Sequence, residues 1–99
     1  MRELDGPIPL GNAPLGFRGT VLRIEPSQVV GALPAAELER RLIELGFIEG
    51  ARVEILHEGL IRRDPIAVRV NEATVALRRG DAAGIIVSKT AAGRAATDE

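Results

Sequence analysis

The chain is 99 residues long, room for one domain and no second core, and its 45% apolar content excludes a disordered chain. Thirteen basic residues against fourteen acidic ones leave a net charge of -1, a balance that argues against strong nonspecific binding to nucleic acid. The absence of cysteine removes disulfides, thiolate chemistry and Cys-based zinc sites together, and no apolar run approaches the roughly 18–20 residues of a membrane span, so a cytoplasmic protein that is not membrane-embedded is expected.

Residues 1–16 hold Pro7, Pro9 and Pro14 with Gly6, Gly11 and Gly16, a spacing that stops regular elements from propagating and predicts an irregular lead-in. A β-branched-rich strand is expected over 19–25, ended by Pro26, followed by a connection over 27–33. Pro34 suits the first position of a helix, where its missing N–H costs nothing. Leu38, Leu42 and Leu45 then fall on one helical face with Ile43 beside them. The opposite face carries Glu37/Arg41 and Arg40/Glu44, charge pairs four residues apart. Gly46 is placed to take a left-handed conformation past the helix end, with Phe47 folding back onto Leu42.

Gly50 launches a strand over 51–56, with Val53, Ile55 and His57 on one face and Leu56 on the other. A loop over 59–64 carries Arg62 and Arg63. Pro65 opens the next strand, whose inward set is Ile66, Val68 and Val70. Asn71-Glu72 makes a tight turn, and Val75 and Leu77 continue the alternation. A short turn or 3₁₀ element is expected over 80–84, a last strand over 85–87, and a flexible tail over 89–99. Phe17 and Phe47 are the two aromatics in the chain, so the core must be aliphatic. The sum is a mostly β fold over 17–88, a small, partly open barrel of about five strands with one helix between the first and second.

Catalysis finds little support. The chain has one histidine and no cysteine, and a nucleophile–base set would have to join His57 to Ser27 or Ser88. For metal, a good ferrous site wants three or more converging imidazole or carboxylate ligands. His57 and Glu58, as strand neighbours, point to opposite faces, which leaves His57 and Asp64, across the following loop, as the weak metal-ligand pair and no cofactor expected. Arg62, Arg63, Arg69, Arg78 and Arg79 read as a docking patch for an acidic partner or for membrane-proximal phosphate, although an ordinary solvated β surface carries the same charges. Ile43 and Ile48, off the helix stripe, and Ile61, in an arginine-flanked loop, are apolar residues without a folding role and join the partner-binding set.

The helix-to-strand run Arg40-Arg41-Leu42-Ile43-Glu44-Leu45-Gly46-Phe47, followed by Glu49-Gly50-Ala51-Arg52-Val53-Glu54-Ile55, resembles the signature of the FeoA family. Asp64-Pro65-Ile66-Ala67-Val68-Arg69-Val70 and Val75-Ala76-Leu77-Arg78-Arg79 resemble the two strands that follow in that family, and the likeness spans roughly 17–88. Leu38, Leu42, Leu45, Gly46, Phe47, Gly50, Asp64 and Pro65 carry the structural signature. It departs at Ile61-Arg62-Arg63, at Asn71-Glu72-Ala73 and at Gly80, all in expected turns. The resemblance implies an SH3-like β-barrel, a family associated with transition-metal handling, and a non-enzymatic accessory of bacterial ferrous iron uptake. Its implied partner is the cytosolic GTPase region of a FeoB-type permease.

Two other readings compete. An RNA-binding SH3-like barrel wants a basic face and stacking aromatics, which the composition withholds. A binder of proline-rich peptides wants an aromatic-lined groove, and there is no Trp or Tyr to build one. Free sheet edges would also permit a homo-oligomer by strand addition.

Overall fold

The computed structural model describes residues 6–28 and 33–90. Most of the tail expected to be flexible, and residues 29–32 of the connection ahead of the helix, lie outside that range. Alternation dictates the sheet: in β3 (Arg52–Ile61) Val53 and Ile55 are buried while Arg52 is exposed, and in β4 (Asp64–Val70) Ile66, Val68 and Val70 are buried while Arg69 is exposed. With β1 (Ile8–Pro9), β2 (Arg18–Ile24), β5 (Ala73–Leu77) and β6 (Ile85–Lys89), these form one antiparallel sheet in the order β1-β6-β2-β3-β4-β5. The buried face meets Leu38 and Leu42 of α1 (Ala35–Leu45), together with Phe47, in one apolar cluster. No polar or charged residue is buried among the described residues.

The helix begins one residue later than its sequence suggests. Pro34 is extended at φ -60°, ψ 150° and flanks the helix instead of opening it. Among the described residues the ion pair on the helix is Arg40–Glu37 at 3.8 Å, a three-residue spacing in place of the expected four. At the far end the expected cap forms. Gly46 sits at φ 112°, ψ 2°, its N–H donates to the Ile43 carbonyl, and the Phe47 N–H reaches back to the Leu42 carbonyl. This doubly bonded stop satisfies carbonyls that the helix leaves open, and it drops Phe47 into the core beside Leu42, both fully buried. The chain then turns through Gly50, whose N–H donates to Val21, and enters β3.

Three departures concern how far pairing extends. The proline- and glycine-rich opening, expected to be irregular, supplies β1, paired with β6, and then a 3₁₀ turn over Leu10–Asn12. Leu10 and Ala13 from this stretch, and Phe17 just after it, are core residues. Proline is tolerated there because β1 lies at the sheet edge. The final strand likewise runs on to Lys89, and the Thr90 N–H donates to Arg18. The residues after Arg78 form a one-turn helix, α2 (Arg79–Ala82), where a short turn or 3₁₀ element was expected over 80–84.

The third departure reshapes β3. Instead of ending near Leu56 it continues to Ile61, and the expected 59–64 loop shrinks to Arg62-Arg63 between Ile61 and Asp64. The register shifts between Ile55 and His57: Ile55 pairs with Val68, but His57 pairs with Ala67 and Glu58 with Ile66. The extra residue, Leu56, is a β-bulge, and it reverses the alternation. His57 therefore leaves the inward face on which the sequence placed it and is exposed, and Glu58 shares a side with buried Ile66. Farther on, the Asp64 backbone passes directly over Gly59, where a Cβ would overlap the Asp64 carbonyl.

Chemical denaturation will rank three glycine substitutions. Gly46→Val puts a branched residue at positive φ against a Val70 methyl 3.4 Å from the new Cβ and should cost about 1–2 kcal/mol. Gly59→Ala should cost more, about 2–3 kcal/mol, because backbone must move to admit it. Gly80→Ala, with open space around its Cβ, should be neutral or stabilising by up to about 1 kcal/mol.

Candidate interaction surfaces

The five arginines singled out by the sequence do not gather into one patch. Arg79 lies inside the fold instead of on a docking face. Its side chain is 16% exposed and its guanidinium makes four hydrogen bonds within the fold. Nε donates to the Arg63 carbonyl at 2.8 Å, Nη1 to the carbonyls of Gly11 at 3.1 Å and Ala13 at 2.7 Å, and Nη2 to Glu58 Oε1 at 2.9 Å. The Arg79 backbone N–H donates to Asp64 Oδ1 at 2.8 Å. Asp64 is thereby engaged in fixing the start of α2. His57 stands opposite Ala67, three residues along β4 from Asp64, roughly 10 Å of strand. The expected metal pair is not brought together. Among the described residues no three His, Cys, Asp or Glu side chains are grouped to hold a metal ion.

The remaining basic residues divide among separate places. Arg69 lies on the outer face of the sheet in a shallow groove with Arg18, Arg52, Glu54, Asn71 and Thr90. Arg18, Glu54 and Arg69 are register partners across β2, β3 and β4, and Arg18 Nε lies 3.4 Å from Glu54 Oε2. One carboxylate between two guanidiniums, with Arg52 beside them, leaves the groove cationic. Sequence reasoning missed Arg18 and Arg52, although the alternation that turns Arg69 outward turns Arg52 outward too. Arg78 borders a different hollow with Arg41, Pro65 and Asp81. Arg62 and Arg63 form the tip of the β3–β4 hairpin beside Ile61, 77% exposed, and Leu60, which is wholly exposed and was not singled out beforehand.

A second apolar locus flanks the helix cap. Ile43, 43% exposed, and Ile48, 51% exposed, stand on either side of Gly46. The hydrogen bonds of the cap and those from Ile48 to Gly46 and from Ala51 to Ile48 hold their backbone. Leu38 and Leu42 are buried, and Leu45 packs partly buried against the same core.

A bent antiparallel sheet of this order around an aliphatic core, closed over by one helix between its long strands, is an SH3-like barrel. The protein-family model of the FeoA domain matches residues 8–89, and the chain belongs to the FeoA family. The solution structure of the FeoA protein from Chlorobium tepidum is 32% identical with a TM-score of 0.65, over 85% of this chain and 71% of that one. FeoA from Stenotrophomonas maltophilia, crystallised with zinc and described as a prokaryotic SH3 domain protein, is 30% identical with a TM-score of 0.63, over 80% of this chain and 87% of that one. A manganese-dependent transcriptional repressor shares the fold at a TM-score of 0.67 and 24% identity, over 87% of this chain and 43% of its own. No match was found among curated protein sequences. The family places the chain with ferrous iron transport, and none of its described helices is long and apolar enough to cross a membrane.

Replacing Arg79 by Ala leaves Glu58 and three backbone carbonyls without their donor. It should cost about 2–4 kcal/mol in urea denaturation, with Arg79→Lys recovering less than half because one ammonium cannot span four acceptors. Arg69→Ala, on the open face, should stay within about 0.5 kcal/mol of the parent.

Proposed function

We propose that the protein is a non-enzymatic, cytosolic regulator of bacterial ferrous iron uptake that works by docking on the cytosolic GTPase region of a FeoB-type permease. The observation that carries this reading is the FeoA-domain match over residues 8–89, and the Stenotrophomonas relative is itself described as a proposed ferrous iron transport activating factor. His57, the one histidine, lies exposed on β3 opposite Ala67, whereas Ser88 lies on β6 opposite Thr20 and Ser27 on the turn after β2. That arrangement favours binding over nucleophilic chemistry. Iron enters as the permease's cargo, with no iron carried by this chain.

The docking surface in this reading is the pair Ile43 and Ile48. Apolar side chains on a backbone fixed by the cap lose little freedom when a partner covers them, so their burial is realised as affinity. Neither side chain supports the core, so both can be changed without unfolding the domain.

Titration of the protein against the purified permease GTPase region should give saturable binding. The double variant Ile43→Asp, Ile48→Asp should weaken it at least tenfold, about 1.4 kcal/mol, while the melting temperature holds. No binding by the parent protein, together with normal iron uptake in a deletion strain, would sink the proposal.

A further inference from the structure

The β3–β4 hairpin ends in a tip whose side chains add nothing to the apolar core. Leu60 is 102% exposed and Ile61 77%, at the end of β3 where a second register shift falls between Glu58 and Ile61. The turn residues Arg62 and Arg63 hold φ of 57° and 59°. A two-residue turn with positive φ at both positions is the place for Asn-Gly, and long side chains there are strained. Beneath the tip the structure is firm: Gly59 packs under Asp64, and Arg79 bonds the Arg63 carbonyl. Two aliphatic side chains given to water and two arginines held in an unfavourable conformation both work against stability, and strain of this kind marks segments kept for a contact.

We propose that this tip is a peripheral anchor that seats in the surface of an anionic phospholipid bilayer, Leu60 and Ile61 entering the acyl boundary while Arg62 and Arg63 meet the phosphates. The proposal goes beyond the docking on a permease and stands without it. The near-complete exposure of both side chains at the end of a projecting hairpin favours lipid over a protein groove. A flat partner covers one face of a hairpin, whereas a bilayer surrounds the tip and buries both side chains together. The charge fits as well, since adjacent cations next to apolar residues are attracted by an anionic leaflet.

The absence of tryptophan makes the test direct. In the full chain, Leu60→Trp provides a single emitter at the tip, and Glu72→Trp provides one on the exposed turn at the opposite end of β4. Phosphatidylcholine vesicles containing phosphatidylglycerol should shift the emission of the Leu60→Trp protein to the blue, and brominated acyl chains should quench it. The Glu72→Trp protein should show neither. Adding Arg62→Asn and Arg63→Gly to Leu60→Trp should weaken partition about 10- to 30-fold while raising the denaturation midpoint, because that pair suits the turn. No shift for Leu60→Trp with anionic vesicles overturns the proposal, as does an equal shift with pure phosphatidylcholine. Loss of binding to the permease GTPase region in the Arg62→Asn, Arg63→Gly protein, without any vesicle effect in the parent, would also overturn it and assign the tip to a protein groove.

Discussion

A guanidinium in the wall of this barrel holds together parts of the chain far apart in sequence. Four of the five N–H donors of Arg79 are spent on Glu58 and on the carbonyls of Gly11, Ala13 and Arg63. The lead-in, the long hairpin and α2 all pass through that one side chain. Each acceptor would otherwise have to be satisfied by water at the seam where the lead-in lies against the sheet. Gly11 belongs to the same joint, since a Cβ there would overlap the Arg79 carbonyl. The lead-in can thus contribute Leu10 and Ala13 to the core even though its prolines and glycines keep it from extending as a strand.

Much of the fold can be read from residues acting locally. Leu38, Leu42, Gly46 and Phe47 specify a helix, its stop and its apolar seal within ten positions, because capping is a matter of near neighbours. The inward sets of β3 and β4 follow from two-residue alternation. What escapes is set by register. The bulge at Leu56 has no marker in composition, and it exchanges the roles of His57 and Glu58, so a histidine expected to face inward faces water and a carboxylate expected outside meets Arg79. The β1 strand escapes for a related reason: two residues carry no periodicity, and only β6 alongside makes them a strand.

The surface was legible residue by residue and not as an arrangement. Ile43, Ile48 and Ile61 are exposed as their positions off the core pattern imply. The arginines are another matter, since strand order separates them. Arg69 joins Arg18 and Arg52 across three strands, Arg78 borders a hollow with Arg41, Pro65 and Asp81, and Arg79 turns inward. Neighbours in sequence such as Arg78 and Arg79 can therefore have unrelated functions, one in solvent and one in the frame.

The pairing of β1 with β6 sets Ile8 opposite Val87 in antiparallel fashion, so the described fold starts and finishes at one corner. A unit whose two ends leave side by side can be spliced between other segments without threading a connector across its body. This geometry makes the fold portable as a cassette, in keeping with its occurrence over less than half the length of a metal-dependent repressor.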